Sequence, residues 1–421
     1  MLLIKNGRVV DPASGTDALL DVLLVEDRIE RVGPALTAPQ ADLFDATGLV
    51  VAPGFIDLHC HLREPGGESS ETIETGTRAA ARGGFTAVCP MPNTNPVNDN
   101  AAVTRFLLDR AASVASVRVW PIGAVSKNSS GETLAEIAAM QQAGIVAISD
   151  DGKPVATARL LRQAMEYCFP LGLPVIDHCE DSSLAAGAVM REGARSVRLG
   201  LRGMPAATES ICVARDIQIA ELTGGRLHIA HLSTRASLEL VRAAKRAGLA
   251  VTCEVTPHHF TLTDEDVLYD ARYKMNPPLG SRADREALLA GLADGTVDAI
   301  ATDHAPHEPA LKEVEFDRAP FGIIGFETAL ALALEQLLHP GRLSLLRLVE
   351  LFTTGPARVL GRSRRLAPGE PADLTMFSTE LEWTFRAEQS ASKSRNTPFD
   401  GRRFRGGPVA TIVAGRIVWQ R

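Results

Sequence analysis

Between about residue 53 and residue 355, short apolar runs rich in β-forming residues alternate with alanine- and leucine-rich stretches of helical character. The runs are 54–58, 85–89, 117–122, 144–149, 173–177, 226–230, 250–254 and 299–302. The stretches 71–82, 133–143, 156–169, 209–222, 236–247 and 282–292 lie between them, and a last helical stretch covers 343–351. Eight runs, each followed by room for a helix or a long loop, is the arithmetic of an α/β chain folded as a TIM-like (β/α)8 barrel. Near-continuous apolar strands also suit a parallel sheet covered by helices.

The two ends of the chain read differently. Leu2-Leu3-Ile4 and Arg8-Val9-Val10 flank Asn6-Gly7, a two-residue hairpin signal. The segments 20–25, 28–32 and 43–45 continue as short antiparallel β pieces, and 372–377 and 409–419 return to that style after the barrel. The simplest arrangement joins both ends in one small β-sandwich, residues 1–53 with 356–421, beside a barrel of residues 54–355. The polar stretch 389–407 reads as irregular.

A core of 421 residues needs no disulfide staples. The six cysteines are scattered with no C-x-x-C pair, which suits a reducing cytoplasm. Net charge is −7 and one basic run stands out, Arg402-Arg403-Phe404-Arg405, so nucleic acid is not the expected partner. No apolar run of about 18 residues is present, and none is expected to span a membrane. The opening Met1-Leu2-Leu3-Ile4 is interrupted too soon by Lys5-Asn6-Gly7 for a signal peptide.

Chemistry gathers where the runs end, the rim at which barrels carry their reactive residues. The first run leads into Asp57-Leu58-His59-Cys60-His61-Leu62-Arg63. Side chains two apart share one side of a strand, so His59 and His61 project together with Arg63 beyond them. Two neutral imidazoles suit a divalent metal such as zinc, and a planar guanidinium suits a carboxylate. Later runs end in Cys89-Pro90-Met91-Pro92-Asn93, Ser149-Asp150-Asp151-Gly152, Asp177-His178-Cys179-Glu180, His231-Leu232-Ser233 and Thr302-Asp303-His304-Ala305-Pro306-His307.

Four histidines and at least two aspartates exceed one tetrahedral site. They suffice for two metals about 3.5–4 Å apart that share a carboxylate and a hydroxide. His59, His61 and Asp303 are expected on one metal and His178 and His231 on the other. Either Asp150 or Asp151 lies between, with Lys153 a less favoured bridge in carbamylated form. Asp177 and Glu180 are placed to orient His178. His228 reads as core, His258 and His259 as loop or supporting residues, and His339 as a surface helix end.

These residues resemble the amidohydrolase superfamily and, within it, the dihydroorotases of the bacterial class I type. Asp57 to Gly66 is similar to one signature of that family, and Ala301 to His307 with Lys312 is similar to another. Met91-Pro92-Asn93-Thr94, Ser149 to Gly152, Met275-Asn276-Pro277-Pro278-Leu279 and Pro320-Phe321-Gly322 also look like family segments, while Cys60 stands where an aliphatic residue is usual. The resemblance covers essentially the whole chain. It implies two zinc ions per subunit, bound by His59, His61, His178, His231 and Asp303, with Asp151 bridging. It implies Asp303 as general acid and base. Arg63, Asn93 and Asn276 would hold the substrate's free carboxylate and ring edge, with His61, His307, Phe321 and Gly322 completing the pocket. The implied reaction is the reversible closure of N-carbamoyl-L-aspartate to L-dihydroorotate in pyrimidine biosynthesis, carried out by a cytoplasmic homodimer.

Two other readings compete. A hydantoinase, dihydropyrimidinase or allantoinase shares the fold and H-x-H, but usually carries a bridging lysine and need not bind a carboxylate. A non-catalytic relative that scaffolds aspartate transcarbamoylase typically lacks the metal histidines, whereas all four are present here. An active enzyme remains compatible with binding that transcarbamoylase.

Overall fold

The apolar runs of the middle of the chain pair in parallel, each with the next. In the computed structural model, which describes all 421 residues, Phe55–Cys60 lies beside Phe85–Pro90, and that strand lies beside Arg118–Val119. Gly123 then bridges Ile148, and Ile148 bridges Val175. Val175–Asp177, Leu227–Ile229, Val251–Val255 and Ala299–Ile300 follow in that order. The round closes where His304 pairs with Cys60 and the His61 amide donates to the His304 carbonyl at 2.8 Å.

The run 144–149 forms no regular strand, although it holds its place through two isolated bridges at Ile148. Its neighbours explain this: Pro121 and Pro174 both lack the N–H that a ladder needs. The run is still bonded on both sides, for example from the Gly123 amide to the Ala147 carbonyl, from the Ser149 amide to the Gly123 carbonyl, from the Ile148 amide to the Pro174 carbonyl and from the Ile176 amide to the Ile148 carbonyl.

Helices lie between the parallel segments, and polar caps start them. Thr72, Asn100, Thr157, Thr234, Ser281 and Ser344 each accept a backbone N–H of the first turn. Between helices and strands lies a core of 62 buried residues. A second cluster of 15 takes residues from the parallel segments or from just beyond their ends, among them Ile56, Ala87, Ile122, Ala147, Ile176, Ala230 and Ala299. No helix is long and apolar enough to cross a membrane.

Both chain ends build one sheet of eight strands. Arg416–Gln420, Arg403–Val413, Leu374–Thr384, Val50–Pro53, Leu2–Asp11, Thr16–Val25 and Arg28–Gly33 lie in that order, with Asp42–Asp45 also against Leu2–Asp11. Val51 pairs with Val9 on one side and Met376 on the other, which stitches the N-terminal part to the C-terminal part.

Three expectations fail here, the third in part. Asn6-Gly7 is no hairpin turn but a bulge inside the continuous strand Leu2–Asp11, where the register against Thr16–Val25 shifts between Ile4 and Gly7. Asn6 takes the extra left-handed residue (φ 62°), and a Cβ on Gly7 would meet Val51 Cγ2 at 2.5 Å. Nor are all the pieces antiparallel: Asp42–Asp45 and Val50–Pro53 both run parallel to Leu2–Asp11. The stretch 389–407 is irregular only as far as 402, since Arg403–Val413 is a strand.

Candidate metal centre and substrate pocket

The side chains at the ends of the parallel segments meet at one mouth. The Asp151 carboxylate is the centre of the group. It lies 3.3 Å from His59 Nε2, 3.5 Å from His61 Nε2, 3.7 Å from His178 Nδ1 and 3.5 Å from His231 Nε2. Asp303 Oδ1 stands 3.1 Å from His61 Nε2 and 3.6 Å from His59 Nε2. His178 Nδ1 and His231 Nε2 are 2.9 Å apart. All six side chains are buried. Two triads, His59-His61-Asp151 and Asp151-His178-His231, therefore share one carboxylate.

Asp150 and Asp151 separate cleanly. Asp150 Oδ1 and Oδ2 accept the amide and hydroxyl of Ser126, at 3.0 and 2.5 Å. Asp151 has no such anchor and turns inward. Lys153 is exposed and gives its ammonium to the Ser129 carbonyl at 3.2 Å, away from the histidines.

The outward nitrogens of three imidazoles are held in turn, whereas His231 Nδ1 has no hydrogen-bond partner. Glu254 Oε1 lies 3.1 Å from His59 Nδ1, and its Oε2 lies 3.2 Å from His228 Nε2. Asn93 Oδ1 takes His61 Nδ1 at 3.0 Å, and Glu180 Oε2 stands 3.4 Å from His178 Nε2. Such outer partners fix the tautomer and aim the free nitrogen at the centre. Asp177, expected to share this duty, instead turns to Cys212 and Arg215.

Below the mouth, Asp57 Oδ1 and Oδ2 accept the amide and hydroxyl of Thr302 at 2.8 and 2.6 Å, tying the segment before Asp303 to the segment before His59. Glu209 likewise takes the amides and hydroxyls of Ser233 and Thr234, next to His231.

The backbone is strained where the chemistry converges. His231 (φ 30°), Asp303 (φ 46°) and Arg63 (φ 59°) all occupy the left-handed region that non-glycine residues avoid. Each costs of order 1–3 kcal/mol, tolerated because the surrounding bonds leave the chain no other course.

The electrostatics match the geometry. Burial opposes charge on His59, yet the facing Asp151, Glu254 and Asp303 outweigh it and raise its pKa well above the usual imidazole value. Burial likewise works against ionised Asp151 and Asp303, and the histidines overcome it, holding both carboxyls well below their ordinary range. Burial, with His178 and His59 beside it, pushes the pKa of His231 below the usual imidazole value. The cluster is thus a set of carboxylates and imidazoles that attract positive charge.

A divalent metal fits this donor set. His59 Nε2 and Asp151 Oδ1 are buried without a hydrogen-bond partner, an expense that a cation between them removes. Zinc bonds of about 2.0–2.2 Å to nitrogen and oxygen give tetrahedral donor separations of about 3.4 Å, inside the range seen round Asp151.

Next to the cluster lies a cavity of about 200 Å³ lined by His61, Arg63, Asn93, Asn276, Asp303, His307, Phe321 and Gly322, among others. Every expected pocket residue is here. The Arg63 guanidinium donates to the Pro306 carbonyl at 3.1 Å, and no carboxylate of the chain lies within ion-pairing distance. Asn276 Nδ2 donates to Glu180 Oε2 at 2.8 Å, leaving its Oδ1 buried and unpartnered. His307 is held neutral, its pKa pushed down to about 3 by burial and by Arg63, and its Nε2 donates to the Phe321 carbonyl at 2.7 Å.

Three supports escape a reading of motifs. Glu254 leaves a signal, an acid near the end of a strand otherwise fit for a core. Asn396 leaves none: it donates to the carbonyls of Ala305 and Gly322 at 2.9 and 3.0 Å from a stretch of no regular structure. Lys312 belongs to a quoted signature, but its work is visible only in space. Its ammonium donates to the carbonyls of Lys274, Pro320 and Gly322 at 3.3, 2.9 and 3.0 Å. Of the remaining histidines, His259 bonds Thr256 and the Pro277 carbonyl behind the site, and His339 is exposed.

Comparison with known proteins agrees with this chemistry. A family model described as dihydro-orotase-like matches residues 48–237. The chain is 58% identical over 422 residues to the dihydroorotase of Solibacter usitatus (strain Ellin6076), spanning 100% of this chain and 98% of that protein. It is 54% identical over 422 residues to the dihydroorotase of Pelotomaculum thermopropionicum, with 100% and 98% covered. Among solved structures, the L-hydantoinase (dihydropyrimidinase) from Arthrobacter aurescens superposes with a TM-score of 0.90 at 26% identity, covering 100% of this chain and 96% of that one.

Proposed function

This chain belongs to the dihydroorotase family, a group of cyclic amide hydrolases, and from that premise we propose how its residues carry the reaction. The centre would take two zinc ions per chain: His59, His61 and Asp303 would hold one, His178 and His231 the other, and Asp151 is the carboxylate both groups would share. The observation that supports this is the single Asp151 carboxylate with four histidines within 3.7 Å. When bound, the metals lower the pKa of water and polarise the carbonyl under attack.

The protein side of the reaction follows. Arg63, with no carboxylate of its own, grips the free carboxylate of L-dihydroorotate or N-carbamoyl-L-aspartate. Asn93 and Asn276 meet the ring edge, and the neutral His307 with the Phe321-Gly322 backbone closes the far wall. In ring opening, an Asp303 carboxylate oxygen takes the proton of the attacking water and hands it to the departing ring nitrogen. In ring closure, the same oxygen takes the proton from the carbamoyl nitrogen as that nitrogen bonds to the side-chain carboxyl carbon, and passes it to the carboxyl oxygen that leaves as water. Holding the substrate at both ends converts binding energy into alignment.

The ring of parallel segments supports a (β/α)8 barrel over residues 54–355, with residues 1–53 and 356–421 as a β-sandwich beside it. A homodimer, a cytoplasmic setting and association with aspartate transcarbamoylase belong to the same proposal. Light scattering of the purified chain, alone and with the transcarbamoylase, tests the assembly.

The hydantoinase-type alternative is disfavoured by Arg63 and by Lys153, which points away from the cluster. A substrate panel decides. Turnover of L-dihydroorotate and not of hydantoin is expected, and the reverse preference would overturn the reading.

A further inference from the structure

A second group of metal-type donors lies behind the wall that carries His178. Asp177 and Cys179 flank that histidine, and the helix Ala207–Thr223 presents Cys212 and Asp216 four residues apart on one face. All four side chains are buried, and one donor atom from each lies within 4.8 Å of the other three. Asp216 Oδ2 is 3.2 Å from Cys179 Sγ and 3.8 Å from Cys212 Sγ, and Asp177 Oδ2 is 4.0 Å from Cys212 Sγ.

Both carboxylates are steered from outside. Arg215 Nε donates to Asp216 Oδ1 at 2.7 Å, and the Val155 amide donates to Asp177 Oδ1 at 2.8 Å, so each Oδ2 turns to the sulfurs. Arg215 Nη2 adds a bond to Asp177 Oδ2 at 3.2 Å. Outer partners of this kind orient ligands around a metal.

We propose that Asp177, Cys179, Cys212 and Asp216 form a further metal site, for a borderline-soft divalent cation of the zinc class, separate from the centre at Asp151. Bonds of about 2.3 Å to sulfur and about 2.0–2.2 Å to oxygen place tetrahedral donors about 3.5 Å apart, close to the separations here. A metal here would pin the end of Val175–Asp177 to the helix Ala207–Thr223 and so position His178.

The test uses the purified full-length protein loaded with Co2+. The Asp151 cluster contains no sulfur, so thiolate-to-cobalt absorption in the near ultraviolet reports this group alone. We expect that band in the wild type, its loss in Cys212→Ser and in Asp216→Asn, and about one metal ion per chain less in either variant. A wild-type protein without the band overturns the proposal, whether or not the variants fold. So does metal content in the folded variants equal to that of the wild type. Neither readout depends on turnover, so failure here leaves the ring-opening reading standing, and the converse.

Discussion

Glu254 holds His59 by its outward nitrogen at 3.1 Å while its other oxygen holds His228 at 3.2 Å. One buried acid thus sets the direction in which His59 faces Asp151. Replacing it with alanine leaves two buried imidazoles without their partner. We expect Glu254→Ala to lower metal affinity about 10–100-fold, read as faster loss of metal to a chelator. Unchanged affinity would make Glu254 a core residue only.

In the proposed reaction Asp303 both binds metal and carries the proton. Asp303→Asn keeps its shape but cannot accept a proton. The variant is expected to fold with the wild-type circular dichroism spectrum and to lose kcat by about 10²–10⁴-fold or more. Near-normal turnover would remove Asp303 from the proton path.

Arg63 faces a cavity with no carboxylate of the chain to pair with. Arg63→Met is expected to lower kcat/KM for L-dihydroorotate by roughly 100-fold, about 3 kcal/mol for a lost bidentate charged contact. Activity on dihydrouracil, the same ring without the carboxylate, should change far less. Equal losses on both substrates would assign Arg63 to the architecture of the loop instead.

How much of this could be read from the residues alone follows a physical line. The parallel segments were legible because near-continuous apolar strands announce a buried sheet, and the clustered histidines and aspartates were legible because they close those segments. The Asn6 bulge was not, since Asn-Gly favours left-handed backbone in a turn and in a bulge alike. The choice of Asp151 over Asp150 was not either; it depends on Ser126, which neighbours Asp150 only in space. Asn396 and the three carbonyls round Lys312 act through long-range contacts that leave no periodicity.

Lys312 gives a pH dependence with a definite sign. Burial lowers its pKa to about 7, with Lys274 adding to the effect. Below about pH 7 it is charged both folded and unfolded, and the cost of burying that charge is fully present. Between about pH 7 and its unfolded value near 10.4 the folded chain gives up the proton first, so stability rises with pH. The difference in Tm between wild type and Lys312→Met should therefore shift in favour of the wild type from pH 7 to pH 9. A difference constant across that range would show that the three carbonyls keep the ammonium charged.

The claim on which the account turns is that Asp151 lies between two metals at the mouth of the parallel segments. Anomalous diffraction from crystals of the zinc-loaded protein tests it directly. Two zinc peaks about 3.5–4 Å apart are expected, each touching an Asp151 oxygen, one beside His59, His61 and Asp303 and the other beside His178 and His231. A single peak, or two peaks with Asp151 bound to neither, would contradict it.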